Sequence, residues 1–410
     1  MHTLRPYQQQ ALDNLRAGIA RRNLTQLLMM PTGSGKTSIS SAIFQGAMAK
    51  GKRVLFIVDT VELIDQSVRR FVDDGMQVGV IQGQHELTDY SKPVQVATVQ
   101  TLRNRWEQMA QWMKFDLVVV DEAHVLHKQH QEIIEYCTSS RIPVIGLSAT
   151  PFRKGLGKTF NSMVVGTSVE DLIEQGYLVP ALCYAPFIPD LKGVKKTNDG
   201  DWQEDALADY MGEASIVGGV IEKWLQLAEN RQTLVFGANR AHARLLCDQF
   251  KAHGINAEYV DGKTDTEERE QIISAYRRGE IKVLCNIGVL TKGFDAPETA
   301  CIVIARPTKS LMMHLQIIGR GLRPAPGKMD CIVIDHAGNC IRNGLPTDEL
   351  PGELDDGKSK DRNPDRKQRD DKTPEPKACQ SCGYLKTQHK CPKCGFAPES
   401  RADVESRDGS

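Results

Sequence analysis

Short apolar runs alternate along this chain with longer stretches in which apolar residues recur at helical spacing. Two such series are present, one between about residues 24 and 166 and one between residues 233 and 335. The apolar runs of the first series are 27–30, 54–58, 94–97, 117–120 and 144–147, and those of the second are 234–236, 258–260, 283–285, 302–304 and 332–335. Strands that alternate with helices form parallel sheets covered by helices. The pattern therefore predicts an α/β chain with two tandem parallel-sheet domains.

The regions outside these series predict a connection and a tail. Residues 348–377 are rich in proline, glycine and charge, so they cannot bury enough apolar surface to fold alone. The predicted boundaries are 1–166 for the first domain, 167–212 for an interdomain connection, 213–340 for the second domain, 341–377 for a flexible linker, 378–397 for a small cysteine module and 398–410 for a disordered tail.

Composition narrows the class of protein. The 410 residues contain 52 Lys plus Arg and 52 Asp plus Glu, so no net charge attracts the whole chain to a nucleic acid. Any nucleic-acid binding therefore has to come from a local group of residues. The first residues lack the apolar core of a signal peptide, and no stretch approaches the length of a membrane span. We expect a cytoplasmic protein without membrane contact, in which most of the 11 cysteines are reduced and buried.

Residues 31–37 (Pro31, Thr32, Gly33, Ser34, Gly35, Lys36, Thr37) form a glycine-rich turn between a predicted strand and a predicted helix. Such a turn lets backbone N–H groups approach a polyphosphate, while Lys36 brings charge to the outer phosphates and the Thr37 hydroxyl ligates Mg²⁺. Met30 occupies the first glycine position of the G-x-x-x-x-G-K-S/T pattern. Alone, the turn could be a plain strand-to-helix connection.

Two acids support the nucleotide interpretation. Asp121 and Glu122 follow directly on the apolar run 117–120, at the carboxyl end of a predicted buried strand. Asp121 can hold Mg²⁺ through water while Glu122 orients and deprotonates the attacking water, which is the division of labour that phosphoryl transfer needs. The alternative, solvated acids after a core strand, is weak once the loop is present.

The second domain supplies arginines. Arg320 and Arg323 follow an apolar helix and can stabilise charge on a transferring γ-phosphate from across a cleft. Residues 286–297 add glycines, a hydroxyl and an acid to the same cleft, including Thr291, Gly293 and Asp295. That stretch could equally be an ordinary loop.

Four cysteines form two Cys-x2-Cys pairs near the C-terminus, Cys379 with Cys382 and Cys391 with Cys394. Four thiolates suit tetrahedral Zn²⁺. Two disulfides or a bound iron are the alternatives to zinc. The module could either contact nucleic acid or serve only to stabilise a small fold.

Taken in order, these segments resemble the motifs of superfamily 2 DEAH-box-type helicases over about residues 4–335. The resemblance implies two RecA-like domains, ATP as the substrate, Arg5 and Gln8 at the base, and Lys36 and Thr37 at the phosphates and Mg²⁺. It also implies coupling roles for four residues, His124, Ser148, Thr150 and Gln316. Narrower features, the Leu-Arg-Pro-Tyr-Gln start, residues 319–328 and the cysteine tail, are similar to RadD-type repair helicases.

Nucleic-acid contacts are expected across the tops of both domains. Hydroxyl and amide side chains recur after strands, at Thr60, Thr98, Gln100, Thr101 and Asn239, with Arg240 beside the last and Thr291 in the later loop. Each of the first six could equally serve a helix cap, but their repetition favours a groove that follows the phosphate backbone.

We therefore expect an ATP-dependent helicase or translocase that acts on nucleic acid. DNA in repair, recombination or replication is favoured by the RadD-type likeness, with single-stranded or forked DNA as ligand and a single-strand-binding or recombination protein as a candidate partner. A duplex translocase that does not separate strands, an RNA helicase, and a nucleotide-gated binding protein that recruits a partner through its zinc module remain alternatives.

Overall fold

The computed structural model describes residues 3–83, 85–103, 105–197, 201–288, 290, 296–357 and 376–397. Within these ranges, two parallel sheets covered by helices make up two lobes. The two tandem RecA-like sheets predicted from the apolar runs are confirmed.

The first lobe contains a seven-stranded sheet in the order β3-β4-β2-β5-β6-β1-β7, with every pair parallel. Its strands are β1 (Thr25–Met29), β2 (Val54–Val58), β3 (Val78–Ile81), β4 (Val94–Thr98), β5 (Leu117–Val120), β6 (Val144–Ser148) and β7 (Ser162–Val165). Its helices are α1 (Pro6–Ala20), α2 (Lys36–Met48), α3 (Val61–Asp73), α4 (Val99–Leu102), α5 (Trp106–Met113) and α6 (Lys128–Ser139), followed by a short 3₁₀ turn, Leu156–Lys158.

The second lobe contains a six-stranded parallel sheet in the order β10-β11-β9-β12-β13-β8. Its strands are β8 (Ala181–Tyr184), β9 (Thr233–Phe236), β10 (Ala257–Val260), β11 (Val283–Asn286), β12 (Cys301–Ile304) and β13 (Cys331–Asp335). The helices after the first lobe are α7 (Val169–Glu174), α8 (Glu204–Met211), α9 (Ala214–Leu227), α10 (Arg240–Ala252), α11 (Thr266–Arg277), α12 (Leu311–Gly319) and α13 (Asn339–Asn343).

The central strands are buried along their whole length, as in β1, β2, β5 and β9. Helices cover both faces of a parallel sheet, so its strands become continuous apolar runs. All strands of one sheet point the same way, and their carboxyl ends therefore meet at a single edge. Side chains that follow the strands gather at that edge, which is where ligands bind in open α/β sheets.

The predicted connection 167–212 is partly built into the second lobe. Residues 181–184 form β8 and pair in parallel with β13. Only the two strand residues Cys183 and Tyr184 are buried along this four-residue edge strand, so its apolar signal is short and easily missed. The connection between the sheets is therefore limited to α7 and the residues up to Pro180.

The segment after α13 crosses back to the first lobe. We call residues 345–357 the strap. Pro346 and Leu350 border a cavity of about 20 Å³ between the lobes. Leu350 and Leu354 then pack on the core of the first lobe, and the Asp355 carboxylate accepts a hydrogen bond from the Gly155 N–H at 3.0 Å. The start of the predicted flexible linker 341–377 thus contacts both lobes, because two leucines and one acid find partners distant in sequence.

The cysteine module contains a two-stranded antiparallel pair, β14 (Lys377–Ala378) and β15 (Leu385–Lys386). It lies against the end of β8, where the Ala185 N–H donates to the Gly383 carbonyl at 2.9 Å. The rings of Tyr184 and Tyr384 meet edge to face with centroids 5.4 Å apart. The module is therefore attached to the second lobe by backbone pairing as well as by aromatic packing.

In the described part of the chain, every helix is too short or too polar to cross a bilayer.

We expect Asp355→Ala to release the strap, because the variant removes the carboxylate that holds the Gly155 N–H. Losing one such hydrogen bond costs about 1 kcal/mol, which raises the population of the opened segment roughly fivefold. Limited proteolysis should show correspondingly faster cleavage within residues 345–357. Glu353→Ala is the matched control, since Glu353 is an exposed acid in the same segment. Equal cleavage of the two variants would contradict the attachment.

Candidate active site

The glycine-rich turn lies between β1 and α2, with Gly33 and Gly35 both at φ +85°. Only glycine adopts this backbone region readily, so these two positions require it. The Lys36 ammonium donates to the Met30 carbonyl at 3.2 Å and thereby folds back over the turn. Met30 itself is fully buried and its side chain packs beside Gly166. The departure from the usual first glycine is thus explained, because that side chain points into the core and away from the turn.

A cavity of about 260 Å³ lies beside this turn, bordered by Arg5, Gln8, Gly33 and Gly35. The Gln8 side-chain amide donates to the Ser34 carbonyl at 2.9 Å, and the Gln8 side-chain oxygen accepts from the Arg5 N–H at 3.0 Å. Gln8 is therefore fixed in place against the phosphate-binding turn, at the mouth of a cavity large enough for a nucleobase.

Two tyrosines that contact the turn and Arg5 beside this cavity were not among the predicted site residues. The Tyr7 hydroxyl donates to the same Ser34 carbonyl at 2.8 Å, and the Tyr177 ring lies 5.4 Å from the Tyr7 ring. The Arg5 guanidinium stacks 4.2 Å from the centre of the Tyr177 ring. Tyr7 stands inside the quoted Leu-Arg-Pro-Tyr-Gln segment, where it could have been found. Tyr177 comes from the interdomain connection, where no local pattern marks it.

Asp121 and Glu122 follow β5 at the carboxyl edge of the first sheet. The Asp121 N–H donates to the Ile57 carbonyl at 2.9 Å, which extends the sheet ladder by one residue. Glu122 adopts φ +45°, an uncommon conformation for a non-glycine residue. Such conformations persist where the surroundings enforce them, and they concentrate at functional sites.

A polar chain links these acids to β6. His124 is buried, and its Nδ1 atom lies 3.3 Å from Glu122 Oε2 and 3.0 Å from Ser148 Oγ. The Thr150 N–H donates to the same Ser148 hydroxyl at 3.0 Å. The structure thus brings together three of the predicted coupling residues, His124, Ser148 and Thr150. Gln316, the fourth, is buried on α12 in the second lobe.

The end of α12 faces the phosphate-binding turn across the cleft. A Cβ atom added to Gly319 would lie 2.8 Å from the Thr32 Cβ, and one added to Gly33 would lie 3.4 Å from the Arg323 Cγ. The two lobes therefore touch at the turn, and Arg323 reaches it. Glycine at position 319 permits this close approach.

Five charged groups meet in this cleft. Burial lowers the pKa of the Lys36 ammonium from its usual value, the carboxylates of Glu122 and Asp121 act to raise it, and Arg320 and Arg323 act to lower it further. These five residues are the predicted catalytic set, and the effect of the other four on Lys36 indicates that the fold places them within electrostatic range of its ammonium group. Three positive charges around one space suit a polyphosphate.

Three predicted residues of the later loop, Thr291, Gly293 and Asp295, lie outside the described residues.

The predicted nucleic-acid residues that the structure describes, all but Thr291, lie at the carboxyl edges of the sheets, several of them in capping roles. Thr98 Oγ1 accepts from the Thr101 N–H at 3.3 Å, and Asn239 Oδ1 accepts from the His242 N–H at 2.9 Å. Gln100 donates weakly to the Asp59 carbonyl at 3.4 Å.

Thr60 and Arg240 differ from these capping residues. Thr60 begins α3 without a side-chain cap. Arg240 forms an ion pair with Asp261 at 3.1 Å. A phosphate contact by Thr98 or Asn239 would have to share the side chain with its cap.

The four cysteine Sγ atoms lie within 4.8 Å of one another. Cys379 and Cys394 are 3.7 Å apart and Cys382 and Cys391 are 3.8 Å apart. These distances match the edge of a tetrahedron with metal–sulfur bonds of about 2.3 Å, which is ~3.8 Å.

Comparison with known proteins agrees with this geometry. The family model described as "Type III restriction enzyme, res subunit" matches residues 1–153, and "Helicase conserved C-terminal domain" matches residues 218–325. The chain is 32% identical over 362 residues to the "Putative ATP-dependent helicase IRC3" of Saccharomyces cerevisiae, covering 82% of this chain and 51% of that protein. It is 26% identical over 343 residues to the "DNA 3'-5' helicase XPB" of Kineococcus radiotolerans, covering 78% of this chain and 57% of that protein.

The chain is a superfamily 2 helicase. It spans little more than half the length of these two relatives. A solved fragment of a putative HsdR subunit of a type I restriction enzyme from Vibrio vulnificus YJ016 has the same fold, with a TM-score of 0.67 and 23% identity over 87% of this chain and 70% of that chain. The helicase is a nucleic-acid-dependent ATPase. The narrower RadD-type likeness stays a prediction.

We expect Gly319→Ala to lower the turnover of ATP by about tenfold, equivalent to about 1.4 kcal/mol in the barrier. The added methyl would meet Thr32 at 2.8 Å and hold the lobes apart. ATP binding by the first lobe should be retained, so nucleotide affinity and kcat are both measured.

Gly219→Ala is the control for this substitution, because a Cβ at Gly219 meets nothing within 4 Å in another helix of the second lobe. Wild-type turnover in Gly319→Ala would show that the contact with Thr32 does not matter for hydrolysis.

Proposed function

We propose that this helicase moves along DNA by closing its cleft around ATP and reopening it after hydrolysis. The observation that carries the proposal is the contact of α12 with the phosphate-binding turn, since Gly319 and Arg323 belong to one lobe and Thr32 and Gly33 to the other. A triphosphate at the turn would therefore be touched by both lobes. Hydrolysis of the triphosphate would remove contacts that join the two lobes, and the cleft would open.

Each assigned residue has one task in this cycle. The turn 31–37 cradles the phosphates with its N–H groups, and Lys36 neutralises charge on the outer phosphates. Glu122 orients the attacking water and accepts its proton, while Arg320 and Arg323 stabilise the charge that develops on the transferred group. Arg5 and Gln8 lie at the cavity suited to the base. We assign Gly293, Asp295 and Thr291 to the same cleft and its nucleic-acid edge on the motif resemblance alone.

Mg²⁺ fits the oxygen donors at this site. Thr37 is exposed at the start of α2, and Asp121 follows β5 at the same edge of the sheet. Hydroxyl and carboxylate oxygens are the ligands that Mg²⁺ prefers, and we assign these two residues to it. When bound, the ion would neutralise charge on the phosphate oxygens.

The polar chain from Glu122 through His124 and Ser148 to Thr150 is suited to coupling. Thr150 borders the cavity between the lobes together with Gly319. A shift of Glu122 on hydrolysis would therefore reach the cleft through its close contact with His124 and then through the hydrogen bonds of Ser148. Gln316 on α12 would respond from the other side.

Zn²⁺ fits the four-cysteine cluster, whose sulfur separations are those of a tetrahedral site. We propose that Cys379, Cys382, Cys391 and Cys394 hold one structural zinc ion. The ion would fix two loops that otherwise have little core of their own.

DNA is proposed as the track for two reasons. The relative from Kineococcus radiotolerans is named a DNA helicase. The start of the chain, residues 319–328 and the cysteine module are similar to RadD-type repair helicases. A role in repair, recombination or replication, and contact with a single-strand-binding or recombination protein, are proposed on this likeness alone.

The test of the ATP centre compares Lys36→Ala and Glu122→Gln with the wild type. We expect turnover to fall by at least a hundredfold in both, because one loses the phosphate charge and the other the proton acceptor. Glu122→Gln should still bind ATP. Release of inorganic phosphate is measured with single-stranded DNA, duplex, forked DNA and RNA. Unchanged turnover in either variant would reject the assigned centre.

The same substrates separate the alternatives. Displacement of a strand from forked DNA supports a helicase. Directional movement on duplex without displacement supports a translocase. Stimulation by RNA alone would overturn the DNA proposal.

The zinc proposal predicts one zinc per chain by metal analysis of the purified protein. Cys379→Ser should lose the metal and lower the thermal midpoint, since a four-thiolate site tolerates no missing ligand well. Ser381→Ala, an exposed position in the same loop, should retain both. Full zinc content in Cys379→Ser would contradict the assigned ligand.

A further inference from the structure

The loop between α12 and β13 folds back on itself through Lys328. The Lys328 Nζ atom donates to three backbone carbonyl oxygens, those of Arg323 at 2.7 Å, Pro297 at 2.9 Å and Thr299 at 2.5 Å. An ammonium group has three N–H donors and no acceptor, so three carbonyl oxygens match it fully. The lysine therefore joins the backbone of the arginine segment to residues 297–299.

Residues 297–299 are themselves fixed to the core of the second lobe. The Thr299 N–H donates to the Ala296 carbonyl at 3.1 Å, which closes a turn. The Thr299 hydroxyl lies 3.0 Å from the Tyr276 hydroxyl, and both residues are fully buried. Because buried contacts hold this turn, the lysine holds Arg323 against a fixed part of the lobe.

The other side of the contact carries an arginine that reaches across the cleft. A Cβ atom added to Gly33 in the phosphate-binding turn would lie 3.4 Å from the Arg323 Cγ. Helix α12 ends at Gly319, so Arg323 lies beyond the helix and its backbone is positioned by other contacts. A displacement of about 1 Å in a catalytic group can cost up to ~100-fold in rate. The hydrogen bond from Lys328 to the Arg323 carbonyl is therefore well placed to affect hydrolysis.

The charged form of Lys328 is the one that satisfies all three carbonyls. Burial lowers the pKa of its ammonium group to about 8, Cys331 and Glu298 act to raise it, and Arg323 and Arg231 act to lower it further. Asp330 also lies nearby and is paired with Arg231. With a pKa of about 8 the group stays mostly protonated at neutral pH. A neutral amine keeps only two N–H donors, so one carbonyl would lose its partner.

We propose that Lys328 is a positioning residue for ATP hydrolysis, whose ammonium group fixes the Arg323 backbone against residues 297–299 so that the arginine side chain reaches the transferred phosphate. The inference rests on the proposed function, which assigns Arg323 to that phosphate, and adds the residue that places it. Pro297 ends the predicted cleft loop 286–297, so Lys328 also joins two segments assigned to the cleft. Among the described residues, those that border the cavity beside the turn do not include Lys328. Its loss should therefore affect kcat more than the binding of ATP.

The first test is Lys328→Met in the full chain, which keeps an unbranched side chain and removes the charge and the donors. With single-stranded DNA present, we expect kcat for ATP hydrolysis to fall about tenfold and KM for ATP to change less than about twofold, because the arginine acts on charge that develops in the transition state. The thermal midpoint is measured alongside to show that the variant is folded.

Lys282→Met is the matched control. Lys282 is also a partly buried lysine of the second lobe, and it donates to the carbonyl of the exposed Asn230 at 3.0 Å. It should retain the wild-type kcat. If the wild type shows no turnover with any nucleic acid, the proposed function fails, and that result is read from the wild type alone.

The second test repeats Lys328→Met in an Arg323→Ala background, under single-turnover conditions that resolve low rates. A residue that acts through Arg323 has nothing left to place there, so the further loss should stay below about twofold. An equal loss in both backgrounds, or no loss with Arg323 present, would overturn the positioning role. Wild-type turnover in Arg323→Ala alone would reject the assignment of that arginine in the proposed function, and the role of Lys328 would fall with it.

The third test is the pH dependence of kcat. The difference between the wild type and Lys328→Met should narrow above about pH 8, because the wild-type lysine then becomes neutral and loses a donor. Stability follows the opposite course: the folded state binds this proton less tightly than the unfolded chain, so its loss does not lower the free energy of unfolding. The narrowing therefore reports position and not unfolding. A difference that stays constant between about pH 7 and pH 9 would overturn the role of the ammonium group.

Discussion

The close approach of like charges in the cleft is the constraint on which the rest of this structure depends. Lys36 belongs to one lobe and Arg320 and Arg323 to the other, yet each influences the ionisation of Lys36. Two carboxylates offset part of this charge, and the proposed triphosphate would offset the rest. Both sheets, with their aligned carboxyl ends, serve to bring these groups to one place. The apolar cores matter to function because they fix the charged groups of each lobe in place.

Much of the fold and the centre of the site were predictable because their signals are local. Buried parallel strands are continuous apolar runs, and a glycine-rich turn must sit between a strand and a helix. Asp121 and Glu122 could be placed because an acid directly after such a strand has to emerge at the sheet edge. Met30 shows the limit of such local signals. The sequence shows that Met30 replaces the first glycine of the phosphate-loop pattern, but only the structure shows that its side chain points towards Gly166 and away from the turn.

The features that sequence reasoning missed depend on partners far away in the chain. Leu354 and Asp355 stand in a stretch of low hydrophobicity, and their partners near Gly155 lie 200 residues earlier. The attachment of Gly383 to Ala185 and the stacking of Tyr177 on Arg5 are equally non-local. From the sequence, the side chains of Thr98 and Asn239 could either cap a helix or contact a phosphate, and the structure shows both capping a helix. Composition and periodicity carry no information on such pairings.

The strap has a mechanical meaning for how the lobes can move. The chain passes from the first lobe to the second through α7 and the residues up to Pro180, and it returns through residues 345–357. A joint fastened at one point can swivel in any direction, whereas a joint fastened at two points bends only about the line between them. Two connections between the lobes therefore restrict their relative rotation to a hinge with a fixed axis. Under the proposed cycle, a single hinge axis would give every closure of the cleft the same direction.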